Sequence, residues 1–117
     1  MGIENIQENI EKPKIEWGPE LGRMSWDRAQ IEITELNSGL KDGEKPWRLP
    51  TKDELLAEFN KTNSMPEGFG GGYYLSSSVH PFESPDAVYQ LYMTNGRIGS
   101  IYKNEIDGSA RLVRDIE

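Results

Sequence analysis

Residues 46–60, PWRLPTKDELLAEFN, change character abruptly at Pro50. The first part is stiff and extended, and the second has helical spacing. Thr51 and Glu54 form a Thr-x-x-Glu capping box, in which the threonine side chain takes the backbone N–H of the glutamate and the carboxylate reaches back to that of the threonine. Pro50 disfavours helical backbone at Leu49, so the helix is expected to begin at Lys52. Leu55, Leu56 and Phe59 supply its apolar face, and Pro50 with Leu55 are placed as the staple pair.

Upstream, SWDRAQIEITELNSG over 25–39 reads as a second helix. Ser25 is the expected N-cap, Asp27 suits the positive end of the first turn, and Trp26, Ala29, Ile33 and Leu36 line one stripe before Gly39. Before it, KIEWGPELG alternates as a short strand and is expected to break at Gly18-Pro19. Ile3, Ile6 and Ile10 recur at helical spacing, so residues 1–13 read as a leader or a short packing helix ended at Pro13.

Downstream the pattern changes to period two. KTNSMPEGFGGG, 61–72, is loop by composition; YYLSSS is a short strand; VHPFESPD, 79–86, is a second loop. AVYQLYMT and RIGSIYK flank Asn95-Gly96, the strongest short-range hairpin signal. A two-residue turn would set Thr94 opposite Arg97 and Met93 opposite Ile98. Tyr89, Leu91, Met93, Ile98, Ser100 and Tyr102 would then share the core-facing side, and Val88, Gln90, Tyr92, Gly99, Ile101 and Lys103 the other. NEIDG reads as a turn and SARLVRDI as a last strand. The order predicts an α+β fold in one domain over 14–117, two helices on one side of a twisted antiparallel sheet.

The 117-residue chain carries net charge −7 and no cysteine. An acidic surface repels phosphate backbones and anionic lipid, which argues against nucleic acid and membrane as partners. Without cysteine there are no disulfides and no thiolate chemistry, so packing must hold the fold. The N-terminus lacks the basic-then-apolar pattern of a signal peptide, and Ile6 stands where a myristoylation motif needs Ser or Thr.

Taken in order, IEWGPELGRMSWDRAQ, WRLPTKDELL, YYLSSS, TNGRIGS and ARLVRD resemble the Lcl C-terminal type of bacterial and phage domain, over about residues 15–117. The resemblance implies a C-type-lectin-like fold, related to formylglycine-generating enzymes and to the variable proteins of diversity-generating retroelements. It implies that Trp47 and Leu49 are buried in a brace at the foot of the second helix, that Arg48 pairs with a carboxylate or carbonyl groups, and that the terminal strands lie side by side. The cysteine chemistry of the formylglycine relatives does not carry over. Glu83-Ser84-Pro85-Asp86 also departs from the Glu-Pro-Asn or Gln-Pro-Asp triplet of calcium-dependent lectins.

The chemical motifs that could mark an enzyme are incomplete. His80 is the sole histidine, and a zinc or general-base role would need Glu83 or Asp86 brought to it. EGFGGG lacks the Gly-Lys-Ser/Thr of a phosphate loop and reads as a connector or a glycine turn under an adjacent ligand. Ser76, Ser77 and Ser78 lack a nucleophile elbow and read as strand hydroxyls serving backbone groups; the oxygens of Asn104, Glu105 and Asp107 miss the EF-hand spacing. Tyr73, Tyr74, Tyr89, Tyr92 and Tyr102 suit sheet packing or recognition.

These readings predict a non-enzymatic module with no cofactor and no metal, binding a protein or glycan ligand, with a phage or bacterial surface assembly as one setting. The candidate surface is the 79–86 loop with its edge: His80, Phe82, Glu83, Asp86, Tyr92 and Ile101. The alternative is a small structural or regulatory protein forming homo-oligomers through its N-terminal isoleucines. The compartment stays open, with synthesis in the cytoplasm and a virion location among the options.

Overall fold

The computed structural model describes residues 14–80 and 85–116. Strand β1 (Ile15–Met24) leads to helices α1 (Trp26–Asn37) and α2 (Lys52–Asn60), then to β2 (Tyr73–Val79), β3 (Ala87–Tyr92), β4 (Arg97–Tyr102) and β5 (Gly108–Asp115). The strands form one sheet in the order β1-β5-β2-β3-β4, so the two terminal strands are neighbours. The fold is α+β, as expected. The sheet, however, is mixed, because β2 and β5 meet in parallel at Tyr74 and Ser109.

Both helices start where local chemistry dictates. The Ser25 hydroxyl accepts from the Arg28 N–H, and both halves of the Thr51/Glu54 box form. Capping of this kind stabilises each helix end by about 1 kcal/mol. Burial on α1 is confined to Ala29 and Ile33, with Trp26 half-covered; Leu36 is exposed, so the apolar stripe ends a turn early.

The opening stretch has a different task from simple helix entry. Residues Trp47 to Pro50 form a short extended wedge between β5 and β2 where those strands separate. Arg48 exchanges both backbone hydrogen bonds with Val113, at 2.8 and 2.9 Å, and the Pro50 carbonyl accepts from the Ser77 N–H at 2.8 Å. The Asn37 amide, at the end of α1, clamps Trp47 by taking its N–H and donating to its carbonyl, at 2.8 and 2.9 Å. Leu49 and Pro50 are fully buried, whereas Trp47 is only half-buried, its ring abutting Gly18 and lying under the Arg114 guanidinium.

Two cores lie on opposite faces of the sheet, contrary to the one-sided packing expected. Ala29 and Ile33 of α1 join Leu49, Leu75, Val88, Ile101, Ala110 and Leu112 on one face. Leu55 and Phe59 of α2 join Tyr74, Leu91, Met93 and Phe69 on the other. Adjacent strand residues point to opposite sides, so Tyr74 and Leu75 can serve both cores only if each face has its own helix. Each cluster thereby removes a separate apolar surface from water.

The β3–β4 hairpin also departs from the expected register. Tyr92 pairs with Arg97, leaving Met93–Gly96 as a four-residue loop. Gly96, at φ +79°, donates to the Tyr92 carbonyl at 2.7 Å, while Asn95 keeps negative φ and so cannot make the two-residue turn. The slip is two residues, so the faces keep their members. Their fates differ from expectation: Val88 and Ile101 are buried, and Ile98 and Tyr102, on the side expected to face the core, are about half exposed.

Gly18-Pro19 does not end β1. The strand runs on through irregular register between Trp17 and Gly22, tolerated because β1 is an edge strand and Pro19 needs no ladder donor there. A Cβ at Gly18 would lie 2.2 Å from Trp47 Cζ3, so the glycine is the seat of the wedge. Gly18→Ala is expected to lower stability by about 1–2 kcal/mol through overpacking. Urea unfolding checks this against Gly39→Ala, whose Cβ would meet nothing nearer than the Leu36 carbonyl at 3.8 Å and which should stay within about 0.5 kcal/mol of the parent.

Candidate functional site

The structure divides the residues expected to form one surface. Ile101 is 5% exposed and belongs to the α1-side core, so it leaves the candidate surface. Asp86 lies just before β3 and Tyr92 at its far end, about 20 Å apart at the rise of an extended chain. They cannot touch one small ligand together. Phe82 and Glu83 lie outside the described residues, as does the N-terminal isoleucine segment.

At the Asp86 end, the His80 N–H donates to the Ala87 carbonyl, and its ring stacks on Tyr89 with centroids 4.7 Å apart. Lys52 covers the same tyrosine from 4.6 Å. These contacts account for His80 as a packed loop residue. The three serines likewise serve backbone groups: Ser76 Oγ donates to the Tyr89 carbonyl at 2.7 Å, Ser77 Oγ donates to that of Pro50 at 3.4 Å, and Ser78 Oγ accepts from the Lys52 N–H at 3.0 Å. Among the described residues no three acidic or imidazole side chains gather as a metal site. No described helix is long and apolar enough to cross a membrane.

At the other end, Tyr92 lines a cleft of about 310 Å³ with Tyr73, Gly71, Gly72, Arg23, Asp107, Gly108 and Ser109. The register of β2 against β3 sets Tyr73 directly opposite Tyr92, and their rings meet at 5.0 Å with planes tilted by 49°. The Tyr73 ring reaches across β3 to lie over Gly99, where a Cβ would come within 3.1 Å of it. Gly72, at φ +97°, turns the chain into β2 with open space where a side chain would project, and its carbonyl holds the Met93 N–H.

The opposite wall is charged but balanced. Arg23 reaches Asp107 Oδ1 at 3.4 Å and the Ile106 carbonyl at 3.5 Å, with both side chains about two-thirds exposed. So solvated a pair contributes little to stability. Behind Gly108 stands Gln90, which is buried; its Oε1 has no hydrogen-bond partner among the described residues and lies 3.0 Å from where a Cβ on Gly108 would be.

A guanidinium brace fixes the loop that leads into this cleft. Arg111 donates to the Gly18 and Gly68 carbonyls at 3.2 and 2.9 Å, and its Cζ sits 5.6 Å from the centre of the Trp17 ring and 4.7 Å from that of Phe69. Tyr74 adds a second tie: its hydroxyl donates to Glu20 and accepts from the Gly70 N–H, both at 2.8 Å. Burial, then the Glu20 carboxylate, hold that phenol above its ordinary pKa, while the Gly70 N–H acts against them. The glycine-rich segment is thus pinned at 68 and 70 immediately before the cleft wall at 71 and 72.

Of the cleft residues, the sequence reading singled out Tyr92 for the binding surface and Tyr73 as one of five tyrosines. Arg23 and Ser109 carried no site signal, while Asp107 and Gly108 were read as part of the NEIDG turn, Asp107 also being weighed as a calcium oxygen. The usable hint was the EGFGGG run, where a glycine turn under an adjacent ligand was one of the two readings. Comparison with family models, with curated proteins and with solved structures finds no match.

Proposed function

We propose that the chain is a non-catalytic recognition module of C-type-lectin-like architecture, whose ligand, a protein or a glycan, docks in the Tyr73–Tyr92 cleft. The observation that carries this reading is the aromatic pair itself. Two tyrosines lean together at a sheet end beside bare glycine backbone, with hydroxyl, guanidinium and carboxylate groups around them. Tyrosine offers a large, rigid, amphipathic contact area at small entropic cost, which suits binding more than interior packing. The adjacent terminal strands, the wedge between β5 and β2 and the capped second helix support the architecture.

The candidate site supplies positioning groups and no activated nucleophile. A glycan array and a display-library selection on the intact chain would identify ligands, and Tyr92→Ala is expected to weaken any true ligand at least tenfold. The Tyr92 side chain is only partly buried, so the variant should keep the parent circular-dichroism spectrum. Binding unchanged in Tyr92→Ala and lost in His80→Ala would return the site to the 79–86 loop.

A further inference from the structure

We propose that Asn95 is a chemical modification site: its side-chain amide is lost to attack by the Gly96 backbone nitrogen, and closure of the β3–β4 hairpin sets the rate. Asn95-Gly96 is the only Asn-Gly step in the chain. Glycine leaves the attacking nitrogen unshielded by any Cβ, and asparagine belongs to the heat-labile residues. The Gly96 nitrogen bonds to Asn95 Cγ, the Cγ–Nδ2 bond breaks, and the nitrogen's proton leaves with the departing ammonia. Water then opens the five-membered succinimide. Its attack at Cγ gives aspartate; its attack at the backbone carbonyl carbon gives isoaspartate, in which the main chain runs on through Cβ and Cγ.

The hairpin holds the two reacting groups in opposite states. The carbonyl is ready: Asn95 is exposed to water, and its Oδ1 accepts the Arg97 N–H at 3.0 Å, so a donor already faces the oxygen on which charge develops. The nucleophile is held. Gly96, at φ +79°, donates its N–H to the Tyr92 carbonyl at 2.7 Å, and a Cβ there would lie 2.7 Å from Phe59 Cε2. Turning the Gly96 nitrogen toward Cγ must break that hydrogen bond and shift a glycine that the ring already abuts. The reaction therefore runs through a locally opened hairpin, and its rate scales with the open fraction. The products differ in fit. Aspartate keeps an acceptor for the Arg97 N–H. Isoaspartate adds a backbone atom to a four-residue loop fixed at both ends, by Met93, fully buried with its N–H on the Gly72 carbonyl, and by Gly96 against Phe59. The added length falls on the Tyr92–Arg97 pair, so it reaches a tyrosine that lines the cleft.

The test incubates the intact chain in mildly alkaline, heavy-oxygen water, native and in urea, and follows Asn95 by peptide mapping. The label marks each converted residue, and electron-transfer fragmentation separates aspartate from isoaspartate. The expected result is conversion concentrated at Asn95, at least about tenfold slower in the native chain than in urea. Phe59→Leu, which removes the ring behind Gly96, should speed the native reaction severalfold and leave the rate in urea unchanged. Ile33→Val, a trim in the core on the other face, should leave both rates close to the parent. In the purified isoaspartate form the cross-strand NOEs between Tyr92 and Arg97 should vanish, while Asn95→Asp keeps them. Equal rates in native and unfolded chains overturn control by the hairpin, as does a native rate that Phe59→Leu moves no more than Ile33→Val. An Asn95 that stays intact in urea overturns the site itself. An isoaspartate form that retains the NOEs shows that the loop absorbs the extra atom, and overturns the link to Tyr92.

Discussion

Leu49→Ala should be among the most damaging single substitutions in this chain, lowering unfolding free energy by about 3–4 kcal/mol, within the range for removing a fully buried leucine. Leu49 is 1% exposed and packs with Ala29 and Ile33 of α1 and with Leu75, Val88, Ile101, Ala110 and Leu112 of four strands. Its neighbours cannot collapse easily into the space. The backbone on both sides is held, by the Arg48–Val113 bridge before it and by the Pro50–Ser77 bond after it. A cavity at a rigid site costs more than one that relaxes. Urea unfolding followed by tryptophan fluorescence would measure the loss. A change under about 1.5 kcal/mol would show that the wedge is loosely packed.

The same wedge shows where the sequence was legible and where it was not. Features set by neighbours along the chain could be read: the Ser25 cap, the Thr51/Glu54 box and the start of α2 at Lys52 all form as their residue types require. Pairing across distance could not. Nothing near Arg48 names Val113 as its backbone partner, and nothing in YYLSSS says that a loop segment will stand between it and β5. The resemblance implied a brace and a carboxylate or carbonyl partner for Arg48, but not that the brace stands between the neighbouring strands β5 and β2.

Side assignments failed for a related reason. Alternation told which hairpin residues share a face, and a slip of two residues preserved that; it could not tell that both faces have a helix of their own. Ile101 was therefore assigned to the binding surface while it fills the α1-side core. Gly18-Pro19 has the composition of a turn, yet at a sheet edge its missing donor is harmless and its missing side chain makes room for Trp47. The cleft was the least readable part. Arg23 and Asp107 stand 84 positions apart, and Tyr73 meets Tyr92 only through the β2–β3 register.

Arg48→Met tests what fixes the wedge to α2 and to the chain's last strand. The Arg48 guanidinium makes a two-pronged contact with Glu54, at 2.9 and 2.8 Å, and a third to Asp115 at 3.0 Å, while it also donates to the Leu49 carbonyl. Methionine keeps the apolar stem and removes the charge, so Glu54, whose side chain is 23% exposed, is left without its cation. The expected loss near neutral pH is about 2–3 kcal/mol, less than for a fully buried pair because water reaches both partners. The pH dependence identifies the cause. Arg48 first, helped by the Thr51 N–H and opposed by burial, holds the Glu54 carboxyl below its ordinary pKa; Arg48 likewise lowers the exposed Asp115. A carboxylate with a depressed folded-state pKa contributes stability that is present above its unfolded value, about 4.3, and is lost as pH falls through the folded value. The parent should therefore lose more stability than Arg48→Met on acidification below about pH 4.3, and the two unfolding curves should converge there. Parallel curves across that window would mean that the guanidinium acts through packing and its carbonyl bond, with the carboxylates as bystanders.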